Sequence, residues 1–246
     1  MRIVVIGGTG LIGAKVVARL GAEGHEAIAA SPGNGVDSVT GQGLDAALAG
    51  ADAVVDVTNA PAWGDGEVLR FFTTSTGNLL AAARKAGVRQ HVVVSIVGAD
   101  RLPGSGYLRA KVAQEQLVKE SGVPYTIVRA TQFFEFIAGI AASSTTGTEV
   151  RIAPAKFQPV AADDVAALVA EVATGPAANG TVQVAGPEVF EFPEIVARAL
   201  EGDPRTVVAD PAAGYFGAAL PDDGLVPAPG TARLGAIDYA TWAARR

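Results

Sequence analysis

The sequence lacks cysteine altogether, and only two of its 246 residues are histidines, His25 and His91. Disulfide bonds and thiolate metal sites are therefore excluded. Because the two histidines lie far apart in the sequence, a histidine-based metal centre is disfavoured as well. We therefore predict that the protein has no metal site.

Basic residues are also few, since 19 Lys and Arg stand against 25 Asp and Glu, for a formal net charge of −6. This balance argues against a nucleic-acid-binding surface, which needs a basic stripe. No apolar run approaches the ~18–20 residues of a transmembrane helix. The first residues form a strand and then a glycine cluster, which does not fit a signal peptide. We expect a cytoplasmic protein that binds neither nucleic acid nor membrane.

What the sequence does contain is an alternation of short apolar strands with helical patterns. Strands are predicted at 2–6, 26–30, 51–57, 91–95 and 125–128, and helices at 11–20, 43–49, 67–86, 105–121, 161–173 and 192–200. Strands that are apolar throughout are buried on both faces, and their alternation with helices indicates a parallel sheet with helices on both sides. The expected fold class is α/β, with a Rossmann-like doubly wound sheet and right-handed crossovers.

The second half of the chain is richer in glycine and proline. We predict a single domain over 1–246, in which residues 1–150 form a dinucleotide-binding core and 155–175 pack back on it. Residues from about 176 to 246 are expected to form a small, loop-rich substrate lobe. Within it, the stretch 203–235 is predicted to cover one end of the sheet.

Four glycines lie within seven residues between the first strand and the first helix, in the segment GGTGLIG at 7–13. A bare turn lets the backbone approach a pyrophosphate, and the helix N-terminus offers free N–H groups. Two glycine spacings fit the segment, Gly8-x-Gly10-x-x-Gly13 and Gly7-x-x-Gly10-x-x-Gly13. An empty tight turn would explain one or two of the glycines. We therefore predict a dinucleotide site formed by Gly7, Thr9, Gly10, Leu11, Ile12 and Gly13.

The residue after the second strand usually separates NAD from NADP, because a carboxylate there binds the ribose 2′-hydroxyl. This chain has Ser31 at that place, and nothing acidic occurs between Glu26 and Asp37. No arginine lies beside it either. We predict that Ser31 contacts the cofactor and that NADP(H) is preferred to NAD(H).

Tyr107 and Lys111 are four residues apart on a predicted helix and therefore share one face. They follow Ser95, which ends a predicted parallel strand at the sheet edge where ligands bind. Carbonyl reduction needs a proton donor beside the hydride source. A tyrosine supplies that proton, a nearby lysine ammonium lowers the tyrosine pKa, and a serine hydroxyl polarises the substrate oxygen.

These motifs resemble the short-chain dehydrogenase/reductases, and most closely the atypical NmrA-like, NAD(P)H-binding branch. The resemblance covers about residues 1–175 and is carried by GGTGLIG (7–13), VVDVTNAP (54–61), VVVSIVGAD (92–100), YLRAK (107–111) and VPYTIVRATQF (123–133). It implies a catalytic triad of Ser95, Tyr107 and Lys111. It also implies cofactor contacts from Thr58, Asn59, Ala60, Lys111 and Thr131.

Aromatic residues suggest the substrate class. Trp63 and Phe216 are candidates for the pocket, whereas Phe133, Phe134 and Phe136 fit a core as well as a pocket. An apolar pocket favours a small apolar carbonyl, enone or quinone as the substrate of a reductase, and a homodimer is allowed. Two alternatives stay open: a redox sensor that binds NADP(H) without turnover, and a sugar-nucleotide epimerase or dehydratase. The few basic residues after 156 disfavour the latter.

Overall fold

The computed structural model describes residues 1–245. Its strands are β1 (Arg2–Ile6), β2 (Glu26–Ala30), β3 (Ala53–Asp56), β4 (Gln90–Ile96), β5 (Tyr125–Ala130), β6 (Thr145–Thr146), β7 (Glu149–Ile152), β8 (Lys156–Phe157), β9 (Gly180–Ala185), β10 (Phe190–Glu191), β11 (Thr206–Ala209), β12 (Gly214–Tyr215), β13 (Ala218–Ala219) and β14 (Arg233–Leu234). Its α-helices are α1 (Leu11–Ala22), α2 (Leu44–Leu48), α3 (Asp65–Ala86), α4 (Gly106–Glu120), α5 (Ile137–Ser143), α6 (Ala162–Thr174), α7 (Phe192–Ala199) and α8 (Tyr239–Ala243).

Seven of these strands form one sheet in the order β2-β1-β3-β4-β5-β9-β14, and every neighbouring pair is parallel. The chain starts at β1, adds β2 on one side and then continues with β3 on the other side. The order therefore reverses between β1 and β3. In doubly wound sheets this switch point opens a crevice at the carboxyl ends of the strands, where ligands bind. The predicted Rossmann-like fold is confirmed.

The two faces of the sheet are covered by different helices. Val5, Val55 and Val92 face α1 and α6, and they are buried in one apolar cluster with residues of those helices. Val4 and Val54 point the other way, into a cluster with residues of α2, α3 and α4. Successive strand residues alternate between the faces. Burial on both faces is why these strands contain apolar residues throughout.

The predicted strands and helices of the first half are present, with small changes in their ends. Two strands of the central sheet were not predicted, because β9 has an alternating GTVQVA sequence and β14 contains only two residues. Residues 180–185 lie in the range expected to form the lobe, yet they pair with β5 inside the sheet. Residues 176–246 therefore do not form a separate lobe along their whole length, because part of this range belongs to the central sheet.

A third apolar cluster lies beyond the carboxyl edge of the sheet and joins α4, α5 and α7 to the hairpin of β12 and β13. Among residues 1–245, no helix has the length and apolar character needed to cross a bilayer. Over the same residues, no group of three or more histidine and carboxylate side chains is arranged to hold a metal ion.

Candidate active site

Close contacts within the protein account for most of the glycines in the turn after β1. Gly7 has a φ of +81°, which residues with side chains rarely adopt. A Cβ on Gly8 would lie 2.6 Å from the Cα of Ala29 in β2. A Cβ on Gly13 would lie 2.1 Å from the carbonyl oxygen of Gly7. Packing inside the protein thus requires three of the four glycines, which is more than the sequence argument allowed for an empty turn.

The fourth glycine and the first amides of α1 lie open at the carboxyl edge. Gly10 is exposed, and a Cβ there would meet only the Gly7 carbonyl oxygen, at 3.3 Å. The first helical hydrogen bond runs from the amide of Ala14 to the carbonyl of Gly10, so the amides of residues 11–13 precede it, and no side chain caps them. A bare surface with free N–H groups at a helix N-terminus fits a pyrophosphate. Thr9 and Leu11 are exposed beside this surface, whereas the Ile12 side chain is buried.

The loop after β2 is closed by its own hydrogen bonds. The Ser31 amide donates to Asn34 Oδ1 at 2.7 Å, and Asn34 Nδ2 donates to the Ala29 carbonyl at 2.7 Å. The Ser31 hydroxyl accepts from the Asn34 amide and completes a capping box around a short 3₁₀ turn. Ser31 therefore lies at the predicted place, buried at the end of β2, with its amide already in use.

Tyr107 lies at the N-terminal end of α4 and reaches the loop that follows β3. Its hydroxyl donates a hydrogen bond to Asn59 Oδ1 at 2.9 Å, and the same oxygen accepts from the Ala60 amide at 3.0 Å. The predicted cofactor residue Asn59 thus contacts the predicted catalytic tyrosine directly. Burial raises the pKa of Tyr107 to about 12. The hydroxyl is consequently protonated at neutral pH.

Lys111 lies one turn further along α4 but belongs to a different hydrogen-bond network. Its Nζ donates to the Val94 carbonyl at 2.8 Å and to Gln114 Oε1, and it lies 4.4 Å from the centre of the Phe72 ring. Gln114 Nε2 in turn donates to Asp56 Oδ2 at 3.0 Å. Burial lowers the pKa of Lys111 to about 8, against the opposing effect of Asp56.

This arrangement differs from the expected role of Lys111 as the group that lowers the tyrosine pKa. The pKa of Tyr107 is raised instead, because burial in aromatic surroundings dominates and the lysine ammonium is bonded elsewhere. A lysine ammonium has three donors. Two of them are used by Val94 and Gln114, so one remains for a ligand.

Ser95 is buried in β4 and faces Glu115 of α4. Burial opposes ionisation of Glu115, yet hydrogen bonds from Arg129 hold the pKa of this carboxyl below its usual range. The Ser95 hydroxyl lies near this carboxyl but has no hydrogen-bond partner among residues 1–245. Ser95 makes no hydrogen bond to Tyr107, whose hydroxyl is bonded to Asn59. The structure therefore joins Tyr107 to the loop after β3 and leaves Ser95 beneath the helix.

Aromatic side chains from three segments gather around Tyr107. Its ring centre lies 5.4 Å from Trp63, 5.3 Å from Phe216 and 5.9 Å from Phe72. Trp63 and Phe216 also stack on each other at 5.8 Å. These two side chains are 60% and 43% exposed, so they form a solvent-facing roof beside the tyrosine. We call the pair Trp63 and Phe216 the aromatic roof.

The position of Phe216 in the aromatic roof depends on an uncommon backbone conformation with positive φ angles. It has a φ of +47° and Gly217 has +79°, and together they form the two-residue loop of the β12–β13 hairpin. Two positive φ angles are typical of a type I′ turn, where a bulky residue is strained. The other predicted pocket aromatics lie elsewhere. Phe134 is buried against Trp242 in the core, and Phe133 contacts the exposed Phe136.

Two polar residues that follow β5 also lie at the carboxyl edge of the sheet. Only one of them was predicted from the sequence. Thr131, a predicted cofactor residue, is buried with its hydroxyl oxygen unpaired. Gln132 is also buried, and neither end of its amide has a hydrogen-bond partner. It neighbours the buried Tyr215, whose pKa is raised by burial and by Tyr107 and is lowered by the Gln132 contact. The signal for Gln132 was its position directly after a buried parallel strand. Tyr215 is brought here only by the tertiary fold.

Comparison with known proteins gives concordant results. A protein-family profile described as NAD(P)H-binding matches residues 7–176. The (4-alkanoyl-5-oxo-2,5-dihydrofuran-3-yl)methyl phosphate reductase of Streptomyces griseus subsp. griseus is 32% identical over 212 residues, which cover 80% of this chain and 72% of that protein.

Two solved structures are similar in fold. One is a short-chain dehydrogenase/reductase superfamily protein from Agrobacterium tumefaciens with bound NAD, at a TM-score of 0.67 and 22% identity over 85% of each chain. The other is the Escherichia coli NADPH-dependent quinone oxidoreductase QOR2 in complex with NADPH. It has a TM-score of 0.66 and 19% identity over 85% of this chain and 77% of that chain. At these identities the likeness concerns the fold alone.

Proposed function

The chain belongs to the protein family described as NAD(P)H-binding, and from this premise we propose that it reduces a small apolar carbonyl, enone or quinone with NADPH. The observation that carries the proposal is the position of Tyr107. Its protonated hydroxyl lies at the carboxyl edge of the sheet, beneath the aromatic roof of Trp63 and Phe216. A proton donor in an apolar pocket beside a nucleotide-binding turn is what a carbonyl reductase requires.

The proposed chemistry assigns the proton to the protein. When bound, the reduced nicotinamide supplies a hydride for the carbonyl carbon. Tyr107 gives its proton to the carbonyl oxygen as charge develops there, and solvent reprotonates the phenolate. With one hydride and one proton, a ketone becomes a secondary alcohol and a quinone becomes a hydroquinone. A pKa of about 12 keeps the hydroxyl protonated at neutral pH, which is the form that a reduction needs.

The neighbours of Tyr107 act as positioning groups in this proposal. Asn59 fixes the orientation of the tyrosine through its Oδ1, and the remaining donor of Lys111 is available to a ribose hydroxyl. In the same proposal, Ser95 keeps its predicted role as the group that polarises the substrate oxygen, since its hydroxyl has no hydrogen-bond partner among residues 1–245.

The preference for NADPH rests on the loop after β2. It carries no carboxylate between Glu26 and Asp37, so nothing there repels a 2′-phosphate, and the Ser31 hydroxyl lies at its start. Fluorescence titration with NADPH and NADH tests this, and we expect the tighter binding for NADPH. If neither nucleotide binds at millimolar concentration, the proposal fails.

A second candidate is a redox sensor that binds NADP(H) without turnover. The observation in its favour is that Lys111 is bonded to Val94 and Gln114 instead of Tyr107. Tyr107→Phe separates the two candidates. For an enzyme, we expect kcat to fall by about a hundredfold or more with unchanged NADPH affinity, since a general acid contributes about 10²–10⁴-fold. A sensor would show no turnover in a screen of quinones and ketones, with or without the substitution.

A further inference from the structure

Gln132 stands out among the buried glutamines, because its amide is the one without hydrogen bonds. Gln90, Gln114 and Gln158 are also buried, and each donates from Nε2 to a partner within the protein. Gln132 is 7% exposed, and within residues 1–245 neither its Nε2 nor its Oε1 makes a hydrogen bond of normal geometry, although the Tyr215 hydroxyl lies beside the amide. A buried polar group without a partner costs stability. Its presence therefore points to a partner that the protein chain does not supply.

The surroundings of Gln132 connect it to the substrate pocket. It follows Thr131 at the carboxyl end of β5, and its amide neighbours the Tyr215 hydroxyl. The Tyr215 ring packs edge-on against Phe216 of the aromatic roof at 4.8 Å, and Phe216 in turn stacks on Tyr107 at 5.3 Å. The open amide thus lies at the same edge as the proposed proton donor.

We propose that Gln132, with Tyr215 beside it, is a second substrate-recognition point that hydrogen-bonds a carbonyl oxygen other than the one protonated by Tyr107. This inference rests on the proposed function and narrows it. The preferred substrate is then a flat, conjugated ring with two carbonyl oxygens, as in a quinone. The flat ring suits the aromatic roof, since rings stack at such separations.

The backbone of Gln132 offers a structural role that does not need the amide. Its carbonyl accepts from the Val160 amide at 2.8 Å and holds the segment after β5 in place. Any side chain at this position leaves that bond intact. The amide group itself is therefore assigned to recognition, and replacing it with an apolar chain of similar length should remove recognition while preserving the fold.

The test compares two probes, 2-methyl-1,4-naphthoquinone with two carbonyls and 1-tetralone with one. Binding is measured by quenching of Trp63 fluorescence, with and without saturating NADP⁺, so no turnover is needed. Trp63→Phe identifies the signal, because the other tryptophan, Trp242, is buried in the core. The chain has no cysteine, so the quinone forms no thiol adduct with it.

We expect Gln132→Met to weaken naphthoquinone binding about fivefold, the size of one neutral hydrogen bond, and to leave tetralone binding unchanged. In turnover assays, KM for the quinone should rise while kcat is preserved. Because an unpaired buried amide is removed, the melting temperature should rise, by about 2–4 °C for a chain of this size.

Gln158→Met is the matched control, since Gln158 is equally buried but donates to the Gly186 carbonyl at 2.8 Å. It should lower the melting temperature and leave the preference for the quinone unchanged. The inference is overturned if Gln132→Met lowers the melting temperature, or weakens both probes alike. It is also overturned if the wild-type protein binds the probes equally or binds neither. Turnover without a quinone preference would leave the proposed reductase function standing.

Discussion

Two sets of buried polar groups near the carboxyl edge of the sheet differ in how completely the protein satisfies them. In the first set, Lys111, Gln114 and Asp56 are linked by hydrogen bonds in series, and Asp56 also accepts from the amide and hydroxyl of Thr58. In the second set, the Thr131 hydroxyl and the Gln132 amide have no hydrogen-bond partner within residues 1–245. The sets lie in one fold and at comparable burial, so the difference does not come from exposure.

The comparison separates positioning from recognition. The first set, which we call the saturated set although one Lys111 donor stays open to a ligand, fixes its members. Moving any one of them breaks several hydrogen bonds in a medium of low dielectric constant. A buried polar group without a partner lowers the stability of the free protein, and a ligand that supplies the missing hydrogen bond gains binding free energy there. We therefore expect substitutions in the first set to act mainly on stability, and those in the second set to act mainly on binding.

The largest effect should come from Asp56→Ala, which breaks the saturated set. It removes the acceptor of Thr58 and one of the two acceptors of Gln114 Nε2, which keeps its hydrogen bond to Thr76. It also removes the charge that offsets the effect of burial on the pKa of Lys111. Breaking a buried ionic network costs about 3–5 kcal/mol, and the free energy of unfolding in urea should fall by that amount. The pKa of Lys111 should fall further below its usual range, because Asp56 no longer raises it.

Asp56→Asn serves as the control, because it keeps one acceptor oxygen, for Thr58 or for Gln114 Nε2, while it loses the charge and the second acceptor. Its loss of stability should be clearly smaller than that of Asp56→Ala. If Asp56→Ala lowers the free energy of unfolding by less than about 1 kcal/mol, the network is no stronger than a surface ion pair. The first set would then not differ from the second in its contribution to stability.

His91 provides a buried, unpaired group outside the candidate site. Both ring nitrogens lack hydrogen bonds, and burial lowers the pKa of His91 to about 4, against the opposing effect of Asp56. The unfolded chain binds a proton near pH 6.5, whereas the folded protein does so only near pH 4. Stability from this group is therefore present above pH 6.5 and is lost as the pH falls toward 4, by about 3 kcal/mol in total.

His91→Phe should flatten this part of the profile of unfolding free energy against pH, and nucleotide affinity should not change. An unchanged acid limb would show that His91 is paired or hydrated in solution. The result bears on the two sets of polar groups, because it shows whether an unpaired buried group lowers stability at a place where no ligand is expected.

A feature could be predicted from the sequence when the residues that form it are close together along the chain. Glycine spacing, apolar strands such as 2–6 and the pair Tyr107 and Lys111 are local patterns. They predicted the fold, and they also indicate the sheet edge at which the candidate site lies. The partner of Lys111 was not predictable, since Gln114 is local but Asp56 and Val94 reach the lysine only through the packing of α4 on the sheet. Tyr215 and the position of Phe216 depend on a hairpin about a hundred residues away from Tyr107 in sequence.

The smallest effect on stability should come from Phe216→Asn, which opens the aromatic roof above the unsaturated set. Asparagine tolerates a positive φ, so the substitution relieves backbone strain of about 1 kcal/mol or more. It also removes the stacking of Phe216 on Trp63 and Tyr107, which is worth about 0.5–1.5 kcal/mol for each pair. The two effects oppose each other, so the free energy of unfolding should change by less than about 1 kcal/mol.

Binding should respond differently from stability. Loss of the ring removes one wall of the pocket, so KM for an apolar ring substrate should rise while nucleotide affinity stays the same. Phe136→Asn is the matched control, because Phe136 is similarly exposed, has an ordinary negative φ and contacts Phe133 outside the roof. If both variants raise KM equally, the roof has no special part in recognition. If only Phe216→Asn does so, a strained residue is retained for binding at the edge where the polar groups are unpaired.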